Sequence, residues 1–404
     1  MRVPLGRDKG GGGIVSSEEI DMRWNKWIAM GLAVLGVCAA GVGDLEAQLT
    51  PAAATLVGPG NLYGPRGLKF GPDGNLYVAT SGTANPQTGE MATCPPLPGG
   101  SPVPLPGGPY FGDTSATILK IDRQGNVTTL ATGFPSTFNS PTQSGYGVGD
   151  VAFLDGELYA VIAGGGCGHG NPDHPNMVAK VDTRTGQWTM VADMSAAVRA
   201  HPAANVDRED FQPDGDFYSL IAARGKLYTV EPNHGQVWSV TRKGDVEMVT
   251  DISKPEGHIV PTALVDSDGG LLVSNLGVFP ITPDSSKLMT LRQGCGAGLG
   301  YEFEDCGPGT LHVARASTPG LTTVVSMAWG PDGLLYLLEL SAAAGFPTPG
   351  DGKVVRVRNG VAEDVITGLS VPTGMTFGPD GALYVSNWGA AAAPIGQILR
   401  FNVH

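Results

Sequence analysis

Four side chains place hard oxygen donors at one recurring position of a repeated motif: Glu231, Asn275, Glu339 and Asn387. Each stands three residues past a recurring tyrosine or leucine, in KLYTVE, GLLVSN, LLYLLE and ALYVSN, and two further copies hold Thr80 and Ile162 there. Two carboxylates and two amide carbonyls suit a hard cation such as calcium, which takes six to eight oxygens, the remainder from water or substrate. A cation so held polarises a carbonyl oxygen or activates water. A calcium-dependent hydrolase acting on a lactone or ester is therefore one function this set would serve, although no general base is identifiable beside it. The other polar concentrations point to less. CGHGNPDHPN offers His169, Asp173 and His174, residue types that hold transition metals. Short motifs of this kind match by chance, and the expectation is a loop with solvated histidines. Asp207, Glu209, Asp210 and Asp214 lack the spacing of a calcium-binding loop and read as a solvated link. The chain has no Gly-x-Ser-x-Gly elbow, Walker loop, dinucleotide fingerprint or His-Glu-x-x-His.

The elements that position these residues repeat. GLKFGPDGNLYVATSG from Gly67 returns as SMAWGPDGLLYLLELS from Ser326 and GMTFGPDGALYVSNWG from Gly374. Degenerate copies begin at Gly149, Tyr218 and Thr262, which makes six. Each reads as strand, tight turn, strand: Pro presets φ, while Asp and Gly tolerate the turn's dihedrals. A second hairpin follows most copies, as in ILKIDRQGNVTTLATG from Ile118 and KVVRVRNGVAEDVITG from Lys353. Two hairpins make a four-stranded meander, and six such units predict an all-β, six-bladed β-propeller of four-stranded antiparallel blades. The final repeat stops short, at GQILRFNVH. The missing strand is available as AATLVGPG from Ala53, so the last blade is expected to be closed by the N-terminal strand, leaving few exposed edges.

In a meander a-b-c-d, the b–c loops and d–a links share one face of the ring. The long segments Ser81 to Thr117, Gly164 to Asn176, Gly277 to Ser286, Ser341 to Gly352 and Gly389 to Gly396 are all b–c loops. One face is thus elaborated while the other keeps mostly tight turns, and loops on a rigid scaffold are where binding concentrates. The cysteines follow this layout. Cys94 and Cys167 lie in b–c loops of adjacent blades, whereas Cys295 and Cys306 bracket a long c–d insertion on the opposite face. Of the five cysteines, the four that follow Cys38 allow three pairings. Pairing within a face gives Cys94–Cys167 and Cys295–Cys306.

Composition bounds the rest. With 61 Gly and 32 Pro, yet 41% apolar residues, the chain reads as many short strands joined by Gly/Pro turns. A net charge of −13 without basic clusters excludes nucleic-acid partners. Arg23 and Lys26 precede an apolar run from Trp27 to Ala40, which reads as a signal peptide over residues 1–47 cleaved near Ala47. Met22 is an alternative start, and Cys38 raises a lipoprotein reading that Val37 weakens, because a lipobox wants a small residue there. Residues 48–404 form one propeller domain, expected to be monomeric, extracytoplasmic (periplasmic or secreted) and without a transmembrane segment.

PRGLKFGPDGNLYVA, DFYSLIAARGKLYTVEPN, VPTALV and VPTGMTFGPDGALYVSNWG, in this order, resemble the exported ScyD/ScyE family of NHL-like six-bladed propellers. The blades are also similar to those of gluconolactonase-type and strictosidine-synthase-like enzymes. The resemblance implies the fold and export; it carries over no catalytic residue. Two functions follow. One is a binding or pathway-accessory protein taking a small molecule or extracytoplasmic partner on the elaborated face. The other is the calcium-dependent hydrolase.

Overall fold

The computed structural model describes residues 54–83, 89–94, 108–140, 142–207, 210–268, 270–293, 311–316 and 318–403. Six antiparallel sheets succeed one another along the chain. In blade 1, strands a to d are Pro65–Phe70, Leu76–Thr80, Tyr110–Ile121 and Val127–Asn139. Blade 2 comprises Val148–Leu154, Glu157–Ile162, Met177–Val181 and Trp188–Asp193. Blade 3 comprises Leu220–Ala223, Lys226–Glu231, Gln236–Val240 and Val246–Asp251. Blade 4 comprises Pro261–Ser267, Gly270–Asn275, Leu288–Gln293 and Leu311–Ala316. Blade 5 comprises Val324–Trp329, Leu335–Glu339, Gly352–Arg358 and Val361–Leu369. Blade 6 takes strands a to c from Gly374–Phe377, Leu383–Asn387 and Gln397–Phe401. Its fourth strand is Thr55–Leu56, which pairs with Arg400 and Leu399, so the N-terminal strand closes the ring as expected.

The apolar side chains sort into clusters between neighbouring blades. Tyr77, Ile118, Val151 and Leu158 join blades 1 and 2. Leu68, Leu76, Val78 and Ile398 join blades 6 and 1, with Val57 of the closing segment packed against them. The recurring turn is an instrument of this packing. Tyr77, Tyr336 and Tyr384 meet Phe153, Phe377 and Phe70 of the next blade edge to face, at 5.1, 5.0 and 4.9 Å. Their hydroxyls donate back to the turn aspartates Asp73, Asp332 and Asp380 at 2.9, 3.0 and 3.0 Å. The first turn glycine is fixed by the ring: a Cβ on Gly71 would stand 2.6 Å from Tyr77 Cε2. The last, Gly74, has φ +76°, a conformation that L side chains rarely adopt.

One boundary differs from the sequence reading. Strand c of blade 1 begins at Tyr110, inside the segment expected to be loop, and pairs with strand d as far as Tyr110↔Asn139. The outer hairpin therefore projects beyond its blade on the elaborated face. Pro/Gly-rich composition upstream concealed the buried Tyr110 and Ala116 that anchor it. The expected leader (residues 1–47, with Met22 and Cys38), Glu209 and the Cys295–Cys306 pair lie outside the described residues. Among the described residues, no helix is long and apolar enough to cross a membrane.

Candidate functional site: the channel mouth on the long-loop face

The recurring b-strand position falls where the repeats place it. Thr80, Ile162, Glu231, Asn275, Glu339 and Asn387 are each the last residue of strand b in blades 1 to 6. The four candidate ligands are buried, and each turns into its own blade. Glu231 accepts from the amides of Asp216 at 2.6 Å and His234 at 2.5 Å. Asn275 accepts from the Lys287 amide at 2.7 Å and donates to the Ile259 carbonyl at 3.0 Å. Asn387 accepts from the Ser370 amide at 2.7 Å, and Glu339 from the Thr322 amide at 3.1 Å. These bonds tie the incoming d–a link, the b–c loop, or both, to the end of strand b. A buried amide left without an acceptor is costly, which explains a polar residue at this position. Among their oxygens, only Glu339 Oε2 lacks a hydrogen bond, with Lys353 Nζ 3.8 Å away. Burial raises the Glu339 carboxyl to about 7, against the pull of Lys353 and the Thr322 amide.

The loop CGHGNPDHPN does not gather its histidines. His169 is buried with Nδ1 at 2.8 Å from the Gly165 carbonyl, while Asp173 and His174 are exposed. Burial lowers the His169 pKa and keeps the ring neutral. Its place is structural: the ring lies 5.8 Å from that of Tyr110 and 5.9 Å from that of Tyr146. The Cys94–Cys167 pairing is present, with Cα atoms 5.0 Å apart, and it fastens this loop to blade 1.

The acidic link departs most from expectation. Asp214 is buried: it pairs with Arg199 and accepts from the Cys167 amide at 2.8 Å. Asn176 of the blade 2 loop donates to the carbonyls of Asp214 and Gly215 at 3.1 and 2.7 Å. The link is thereby stitched to the neighbouring loop instead of lying in solvent. A short apolar anchor, Phe217, is wholly buried and draws it inward. It delivers Asp216 to a cluster with Arg66, Tyr146 and Tyr218.

Arg66, Tyr146 and Tyr218 come from three adjoining stretches at the start of strand a or just before it. Arg66 is 6% exposed; its guanidinium lies 5.3 Å from the Tyr146 ring centroid and donates to the Gly145 carbonyl. Blade 6 fixes the backbone here: Thr373 Oγ1 and Ser386 Oγ donate to the carbonyls of Pro65 and Arg66, both at 2.6 Å. Tyr218 donates to the Thr373 carbonyl at 3.0 Å and also lines a narrow cavity in the channel below, with Gly67, Gly149, Asp150, Ser326 and Gly374. Small residues are required there: a Cβ on Gly67 would stand 1.9 Å from Asp150 Oδ1.

The electrostatics of the cluster are unusual. Burial, and next the Glu231 carboxylate, push Asp216 up to about 8, with Arg66 pulling the other way. Asp216 is nonetheless partly accessible, and among the described residues its carboxyl has no hydrogen-bond partner and no ion pair with Arg66. At neutral pH it is a neutral acid able to donate. Burial likewise raises Tyr218 to about 12 and Tyr146 further. On the rim, His258 Nε2 lies 2.9 Å from Asp210 Oδ2. Burial works against a charge on that imidazole, but the Asp210 carboxylate outweighs it and holds the pKa above the usual range. A guanidinium, a neutral carboxylic acid and two phenols at one mouth can bind and polarise an oxygen-bearing ligand.

Sequence reasoning passed over Arg66 and Asp216. The signal for Arg66 is a register comparison. Two residues before the buried Leu68, Val151, Leu220, Leu264, Met327 and Met375 stand Arg66, Gly149, Tyr218, Thr262, Val325 and Thr373. A lone arginine in that set is the outlier. Asp216 carries no comparable mark.

No family model and no curated protein sequence matches the chain. Solved structures do. A protein of unknown function from Bacteroides thetaiotaomicron superposes with a TM-score of 0.50 at 10% identity, covering 87% of this chain and 72% of that one. The calcium-binding protein regucalcin from Agrobacterium tumefaciens gives 0.49 at 13% identity, covering 87% and 94%. A streptogramin B lyase gives 0.44 at 15% identity, covering 87% and 97%. At these identities the likeness speaks for the propeller fold alone.

Proposed function

We propose that the protein is an exported propeller, like those of the ScyD/ScyE family, that binds a small molecule at the channel mouth on its long-loop face. The observation that carries this reading is the pairing that does not form. Arg66 and Asp216 are opposite in type, and the guanidinium is close enough to act on the Asp216 carboxyl, yet among the described residues they make no ion pair. A guanidinium and a carboxyl that are near but not spent on each other are polar groups of the kind a ligand site supplies. A thermal-shift screen of small metabolites tests it. Hits should be lost in Arg66→Gln or Tyr146→Ala, and hits indifferent to both substitutions would refute the mouth as the site.

A calcium-dependent hydrolase acting on a lactone or ester is the second reading, favoured by Glu339 Oε2, a buried oxygen without a hydrogen bond. Glu231, Asn275 and Asn387 would have to release the amides they now hold. If they do, calcium raises the melting temperature by mass action and Glu231→Gln with Glu339→Gln abolishes the gain. An unchanged melting temperature at millimolar calcium removes this reading.

A further inference from the structure

We infer that the Arg66 guanidinium anchors the carboxylate of a small, flat organic acid whose body lies against Tyr146 and Tyr218. This rests on the channel mouth being the ligand site and names the class of ligand it takes. Arg66 is nine-tenths buried, and its Nε has no hydrogen-bond partner. A buried guanidinium nitrogen without an acceptor is costly. The planar fork of arginine offers two parallel donors, which a carboxylate meets with both oxygens. The fork is not free to wander: one arm holds the Gly145 carbonyl, the plane lies over Tyr146, and blade 6 fixes the main chain. Preorganisation of this kind lowers the ordering cost of binding.

Charge selects among anions. Asp216 feels the Glu231 and Asp210 carboxylates as well as the Arg66 guanidinium, and His258 is engaged with Asp210. Beside those carboxyls a dianion such as phosphate would meet about twice the repulsion that a monoanion meets, with the same guanidinium to offset it. The rings favour a flat body: Tyr146 and Tyr218 are both partly accessible, while the Tyr218 hydroxyl stays on the Thr373 carbonyl.

Benzoate and its neutral isostere benzamide are the probes, with binding to the full chain followed by ligand-observed NMR and calorimetry. Benzoate should bind, benzamide should bind at least roughly tenfold more weakly, and Arg66→Gln should cost benzoate a similar factor. Tyr146→Leu should weaken both probes. Equal binding of the two probes, both lost in Tyr146→Leu, would overturn the carboxylate assignment while leaving the mouth as a site. Benzoate binding unchanged in a folded Arg66→Gln would overturn it too, as would failure of benzoate to bind. If Arg66→Gln does not fold, the benzoate–benzamide comparison on the unaltered chain decides alone.

Discussion

Replacing Asp216 by Asn should stabilise the protein, by an amount that grows with pH. The carboxyl titrates at about 8 in the folded chain against an ordinary value of 3.8. Between those values the unfolded chain has released its proton and the folded chain still holds it. Stability therefore falls as pH rises through that window, by about 1.4 kcal/mol per unit. The accumulated cost is on the order of 4 kcal/mol at neutral pH and on the order of 6 kcal/mol above the folded value. Below about pH 4 the residue is neutral in both states and the cost vanishes. An asparagine has the shape of the neutral acid and cannot ionise, so Asp216→Asn escapes the whole term. The groups facing Asp216 are Glu231, Asp210, Arg66, Tyr146 and Tyr218. All remain in the variant, so their own pH terms largely cancel in the comparison. Urea unfolding of both chains at several values from about pH 4 to about pH 9 gives the difference directly. A difference that stays flat, or one in which the asparagine variant becomes progressively the less stable, would show instead that Arg66 stabilises an ionised Asp216.

Removing the Cys94–Cys167 crosslink with two serines should cost on the order of 2–4 kcal/mol, since it closes a loop of 73 residues; an unchanged melting temperature would show the bond adds nothing. Deleting residues 53–60 strips the pairing to Arg400 and Leu399 and the Val57 contact, and should yield aggregation or a lower, broader melt. A monomer with the original melt would contradict closure by this strand. Tyr336→Phe keeps the ring on Phe377 and removes the 3.0 Å bond to Asp332, so chemical denaturation should show a loss of about 0.5–1.5 kcal/mol. A loss well beyond that range would mean the ring itself has moved.

The fold was legible because a propeller repeats its solution. GPDG followed by a tyrosine recurs since one packing problem, a ring edge-on to the next blade's phenylalanine with its hydroxyl returned to the turn, is solved at several junctions. The same periodicity located the last residue of every strand b and paired Cys94 with Cys167. It did not fix their role. A polar residue recurring at the end of strand b looks like a ring of ligands, but a link and a loop cross there, and their amides need acceptors. That need recurs as faithfully as a binding site would. The mouth was illegible for the opposite reason. Arg66, Tyr146, Asp216 and Tyr218 do not recur, so a search for what the copies share passes over them, and Arg66 shows only as the outlier of its register. Asp216 also sits in an acidic stretch whose composition reads as solvated. Its burial depends on Phe217 and on Asn176, a residue 40 positions upstream that grips the link by its carbonyls.

The most direct measurement of the central claim is a crystal structure of the protein with a small molecule recovered from the metabolite screen. The ligand is predicted at the channel mouth on the long-loop face, in contact with Arg66 and within reach of Asp216 and Tyr218. A ligand seated among the tight turns of the opposite face, or on the outer loops with Arg66 still holding only Gly145, would contradict it.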